Sequence, residues 1–171
     1  MQQTTIANRT ETITSNLPYG ITISYPHDWI LEETGVNVTR DYGRDVINIA
    51  NLYSPAIPPG RKMAGLNPDT SDNTVLTIDV DEAGATDFEG YFNHVTVALQ
   101  DEYGKIDITR HNLQLKISGY KAYQMDFDAK DMRGTYIFTN VDGTVYIFAF
   151  SNPSAYSSEV EAMYRSIIIS P

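Results

Sequence analysis

Two apolar runs separated by one turn signal constrain this chain more than any other feature. Gly134 to Val141 contains Tyr136, Ile137 and Phe138; Thr144 to Ser151 contains Val145, Tyr146, Ile147, Phe148 and Phe150; Asp142-Gly143 lies between them. Asp-Gly supplies two neighbouring residues that tolerate positive φ, which is what a two-residue hairpin demands. Strands with one wet face alternate apolar and polar residues. These two runs do not, so they are predicted to be central strands covered on both faces.

The remaining elements must supply that cover. Strands are predicted over Tyr19 to Tyr25, where Ile21 and Ile23 alternate with Thr22 and Ser24, and over Trp29 to Glu33, Asp45 to Tyr53, Thr74 to Asp81, Asn112 to Ile117 and Tyr120 to Asp128. Gly35 and Arg40 to Arg44 read as turns, and Ser118-Gly119 as a strand turn. Phe88, Tyr91, Phe92, Val95, Leu99 and Tyr103 recur on one helical face, so Asp87 to Tyr103 is predicted as a helix. Thr86 with Glu89 would form its capping box, and Gly104 would end it. A second helix lies between Pro153 and Ile169, with Tyr156, Val160, Met163 and Ile167 as its stripe and Ser158 with Glu161 as a capping box, unless Asn152-Pro153 starts it earlier. The order β-β-β-β-α-β-β-β-β-α, with short connections, predicts an α+β fold. Its strands are expected to form a central antiparallel sheet of about seven or eight strands, on which the two helices bury their apolar stripes.

Domain organisation is simple. The chain of 171 residues suits one domain over residues 17–171, preceded by a flexible tether over residues 1–16 that is rich in Thr, Asn and Gln. No apolar run approaches the roughly 18 residues of a membrane span. The tether leads to the expectation that a signal or lipid-anchor segment precedes Met1 in the full gene product, so membrane association would come only through such an anchor. Two N-x-T sequons, at Asn8 and Asn37, fit an extracytoplasmic, secreted or membrane-anchored life as candidate glycosylation sites.

Charge and residue types exclude several functions. With 12 basic and 22 acidic residues the net charge is −10, and the basic residues are scattered, so no stripe exists for a phosphate backbone. There is no cysteine, hence no disulfide, thiolate metal site or thiol nucleophile. The three histidines, His27, His94 and His111, lack zinc-ligand spacing. No G-x-S-x-G elbow, G-x-G-x-x-G turn or Walker loop is present, so neither an activated serine nor a nucleotide cradle is encoded.

Three segments resemble the PsbP-like superfamily, whose namesake is the extrinsic oxygen-evolving protein of photosystem II and whose fold a nuclear Ran-binding family shares. They are Tyr25-Pro26-His27-Asp28-Trp29, which looks like a Tyr-Pro-x-x-Trp motif; the hairpin Gly134-Thr135-Tyr136 with Asp142-Gly143-Thr144-Val145-Tyr146; and Ser151-Asn152-Pro153 ahead of the terminal helix with Arg165-Ser166-Ile167. The resemblance covers about Leu17 to Ser170. It implies an α/β/α sandwich and a non-enzymatic domain, often exported or lipid-anchored, that acts by contacting a protein or cell-envelope partner.

The residues themselves leave two places for a ligand. Asp79 and Asp81 share one face of a strand, as do Asp126 and Asp128, with Asp131 close behind. If these strand ends meet, four carboxylates converge on a divalent-cation site suited to Ca²⁺ or Mg²⁺; the same pairs could serve a carboxylate-based hydrolase, or simply solvate strand ends. The loop Ser54 to Asn73 holds several prolines and glycines and the basic pair Arg61-Lys62. Loops of this length are often functional. With Tyr42 and Tyr53 as exposed flanking aromatics, its stretch from Pro55 to Asn73 is the candidate small-ligand site.

Overall fold

A computed structural model describes residues 11–55, 74–84, 87–112, 114–129 and 132–171. The Asp142-Gly143 signal forms its hairpin, with φ of 51° and 89°, joining β9 (Met132–Val141) to β10 (Thr144–Ser151). Around this pair lie β3 (Ile30–Asp41), β4 (Arg44–Tyr53), β5 (Val75–Asp81), β6 (Asp107–Asn112) and β8 (Tyr120–Ala129) in the antiparallel order β3-β4-β5-β10-β9-β8-β6, and a two-residue β7 (Lys116–Ile117) pairs with β8. β10 is thus central, as its continuous apolarity requires.

The sheet's two faces carry separate cores. Alternate residues Val145, Ile147 and Ala149 of β10 meet Tyr136 and Phe138 of β9, and α1 (Phe88–Tyr103) covers them with Tyr91, Phe92, Val95 and Leu99. The opposite alternation, Tyr146, Phe148 and Phe150, packs with Leu76, Ile78 and Val80 beneath α2 (Ser157–Ser166), which contributes Val160, Met163 and Tyr164. Phe138, Phe148 and Phe150 are wholly buried, each contributing roughly 1.5–3 kcal/mol. No described helix is long and apolar enough to cross a membrane.

A second, three-stranded sheet completes the α2 layer, in the order β1-β2-β11: β1 (Thr12–Leu17), β2 (Ile21–Pro26) and β11 (Ile168–Ile169). The first predicted strand therefore belongs to this small sheet and not to the large one. Thr12 to Asn16, placed by composition in the tether, pair residue by residue with β2 from Pro26 to Thr22. Their Thr and Ser side chains are compatible with an exposed edge strand, and Leu17 is the first residue to enter the core.

Other boundaries move for identifiable reasons. β3 runs through Gly35, expected as a turn, by a register shift between Glu33 and Asn37, while the turn expected within Arg40 to Arg44 forms at Tyr42-Gly43, with φ of 57° and 70°. β6 begins before the predicted strand at Asn112, because its polar sequence Asp-Ile-Thr-Arg-His-Asn suits an edge with little apolar pattern to read. The α1 cap is Asp87, whose carboxylate accepts from the Gly90 N–H at 3.1 Å; Thr86 lies outside the described residues. α2 has no side-chain cap: Ser158 contacts Glu159, and a 3₁₀ turn, Pro153–Tyr156, leads into the helix from Asn152 in the left-handed region.

Candidate functional site

Alternation along β5 turns Thr77, Asp79 and Asp81 towards α1, the reverse of Leu76, Ile78 and Val80. Alternation along β8 turns Gln124 and Asp126 to the opposite face, with Thr135 and Ile137. β10 and β9 also stand between the two strands. The two aspartate pairs therefore do not converge, and among the described residues no group of three acidic or histidine side chains could hold a metal ion. Asp131 lies outside the described residues.

Each pair is instead absorbed locally. Asp79, 1% exposed, accepts from the Tyr42 hydroxyl at 2.8 Å and from the Asn48 amide at 2.8 Å. Burial pushes its carboxyl up to about 6 against the opposing effect of these two hydrogen bonds, and the charge of Asp41 adds to the rise. Asp81, wholly buried, accepts from the Arg44 guanidinium, from the Tyr91 hydroxyl at 2.9 Å and from the Gly84 N–H at 3.0 Å. Arg44 also lies 4.7 Å over the Tyr91 ring and donates to the Gly84 carbonyl at 3.2 Å. Hydrogen bonding to Asp81 raises the Arg44 pKa, and burial followed by the Asp81 charge raises that of the Tyr91 phenol. On the other face, Asp126 accepts from Thr135 at 2.7 Å and from Gln124 at 3.1 Å, while Asp128 pairs with Arg133 at 3.0 Å beside an open hollow of about 220 Å³.

The expected loop site falls almost wholly outside the described residues, and only its flanking tyrosines can be placed. Tyr42 is not an exposed flank: it is 7% exposed, and the turn at Tyr42-Gly43 folds its ring over the sheet, edge-on to Tyr136 at 5.7 Å and to Phe138 at 6.3 Å. Tyr53 is half-buried at the far end of β4, donating to Glu32 at 3.0 Å. Ten residues of strand, about 30 Å, separate the two tyrosines, so they do not share a site. Arg61, Lys62 and Asn8 lie outside the described residues. Asn37 is exposed on β3 and donates to the Thr34 carbonyl at 2.7 Å. His94 is exposed, with its ring 3.5 Å from the Gly43 carbonyl.

Where Tyr42 folds inward, the C-terminal turn of α1 and the sheet leave a cleft of about 180 Å³. Asp41, Tyr42, Glu102, Tyr103 and Tyr136 line it, with Thr77 and Ser151 among its remaining walls. Burial, followed by the charge and hydrogen bonding of Glu102, pushes the Tyr103 phenol up to about 12. Tyr136 is raised further by burial, with Tyr103, Glu102, Asp41 and Asp79 as its electrostatic neighbours. Sequence reasoning missed this cleft. Tyr103 and Tyr136 read as parts of apolar stripes, and only the folded turn brings Asp41 opposite Glu102.

No family model matches the sequence, and no curated protein matches it. Solved structures do match in shape. Cyanobacterial PsbP from Synechocystis sp. PCC 6803 superposes with a TM-score of 0.57 at 12% identity, over 99% of this chain and 99% of that chain. The Saccharomyces cerevisiae Ran-binding protein Mog1p gives 0.57 at 12% identity over 94% of this chain and 96% of its own. A protein of unknown function from Pseudomonas aeruginosa gives 0.56 at 12% identity, over 94% and 99%. The chain has the PsbP-like fold, shared with Mog1p, as its three sequence segments implied.

Proposed function

We propose that this protein is a non-enzymatic accessory domain that works by contact with a protein or cell-envelope partner outside the cytoplasm. The observation that carries this reading is the state of the buried carboxylates. A general acid or base must reach a reacting atom within hydrogen-bond distance. Asp79 and Asp81 are instead enclosed in the core, held by two and three internal donors respectively. They join β4, β5, α1 and the Tyr42-Gly43 turn into one rigid face, which is the behaviour of a scaffold. The fold's occurrence in a Ran-binding protein supports partner contact as its mode of action. The exposed sequon at Asn37 supports the extracytoplasmic setting.

In-cell cross-linking followed by fractionation of the native host tests the proposal. The expected result is recovery from the envelope or secreted fraction in a discrete cross-linked adduct, with no turnover of ester, glycoside or phosphoester substrates. Turnover that disappears in Asp79→Asn would overturn the non-enzymatic reading, and recovery from the cytosol alone would overturn the location.

A further inference from the structure

The geometry points to an organic-cation site: the cleft between the Tyr42-Gly43 turn, β9 and the C-terminal turn of α1 takes an alkylammonium group. Asp41 and Glu102 balance its charge, while Tyr42, Tyr103 and Tyr136 enclose its alkyl stem. This deepens the contact-domain reading and rests on it.

Three observations lead there. The first is size. At about 180 Å³ the cleft is comparable with an apolar cavity of about 150 Å³ that admits benzene, so a ligand of about six heavy atoms fits. The second is chemistry. Every ionisable group lining the cleft is a carboxyl or a phenol, and neither Asp41 nor Glu102 has a basic partner among the described residues; Asp41 accepts only from Thr39, at 2.7 Å. The third is an open hydrogen-bonding position. The Tyr136 ring is buried, but its hydroxyl faces the cleft and has no protein partner among the described residues, whereas Tyr42 in the same cleft donates to Asp79. A phenol oxygen beside two carboxylates is an acceptor for N–H.

These features select an organic cation over a metal ion. Calcium requires six to eight oxygens around one point, and no three acidic groups gather here among the described residues. An alkylammonium needs only a carboxylate or two at its head, and aromatic faces favour both its charge and its stem.

Amide chemical-shift titration of the folded protein tests the site, with n-butylammonium chloride as the probe, 1-butanol as its neutral counterpart and calcium chloride as the inorganic control. The expected result is saturable shifts at Asp41, Glu102, Tyr103 and Tyr136 with butylammonium alone. Glu102→Gln, at an exposed position, should weaken binding about tenfold. Tyr136→Phe should weaken it severalfold while leaving the melting temperature unchanged, because the hydroxyl it removes has no partner. A blocked Gly-Lys-Gly peptide binding more tightly than cadaverine would assign the site to a lysine of a protein partner, and the reverse order to a free amine; both support it. Equal shifts with butanol or calcium, no saturation, or unchanged affinity in both variants would overturn it. Failure of the site leaves the contact-domain reading standing, whereas binding accompanied by chemical consumption of an amine would sink that reading and leave the site.

Discussion

Asp79 sets a pH dependence that its neighbours would not suggest. Its carboxyl rises from 3.8 to about 6 in the folded protein, so between these values the native state holds a proton that the unfolded chain releases. The unfolding free energy should therefore fall as pH rises from about 4 to about 6, by about 3 kcal/mol from this residue. Urea denaturation across that range should show the slope, and Asp79→Asn should flatten it; a parallel slope in the variant would assign it elsewhere. Arg44 and Asp81 make the complementary case. Arg44→Met leaves a fully buried carboxylate with only Tyr91 and Gly84 and should lower stability by about 3 kcal/mol. Arg165, paired with Glu161 at the surface, should be replaceable by Ala with the denaturation midpoint unmoved. None of this was legible in sequence. The spacing of Asp79 and Asp81 gave their shared face correctly, but the choice between solvated edge and buried pair depends on Arg44 and Tyr91, contributed by two other elements.

At the level of elements, legibility followed apolar pattern. β9, β10 and α1 were readable because burial imposes their periodicity and Asp142-Gly143 marks their turn. β1 and β6 were not, because edge strands of Thr, Ser, Asp and Arg carry no apolar alternation. The contact between the β5 exit and the β9–β10 turn was also hidden, and it yields a sharp comparison. A Cβ on Gly84 would lie 1.3 Å from the Gly143 carbonyl oxygen, at φ +55°, whereas a Cβ on Gly143 meets nothing within 4 Å. Gly84→Ala should cost about 2–4 kcal/mol, combining backbone strain with forced movement of the hairpin. Gly143→Ala, at φ +89°, should cost only the backbone part, about 1–2 kcal/mol. Equal thermal shifts for the two would mean that the hairpin gives way freely.

The whole molecule was predicted as one sheet between two helices, and it is one sheet between a helix and a composite layer. That layer was missed because β11 is two residues long and its partner, β2, lies nearly the whole chain away. Ser170 donates to the Gly20 carbonyl at 2.9 Å, and a Cβ on Gly20 would lie 1.9 Å from the Ser170 carbonyl oxygen. Nearer α2, the Ser166 hydroxyl accepts from the Ser24 N–H at 2.9 Å. Native-state hydrogen exchange should find the amides of Ile169 and Ser170 opening at lower free energy than those of Ile147 and Phe148 in the central strand. Protection at Ile169 equal to that at Phe148 would mean that both sheets open as one unit.

The β2–β11 seam also imposes a chronology. During synthesis, Ile21 and Thr22 leave the ribosome almost 150 residues before Ile168 and Ile169, the partners that pair with them. Until then one side of β2 and the core behind Ile21 and Ile23 stay uncovered, and closing so large a loop is entropically costly and slow. The seam works as a latch that cannot fasten until Ile168 and Ile169 have been made. A nascent chain, or one cut before Ile168, would present an open strand edge to any holding factor, and pairing with β11 withdraws it.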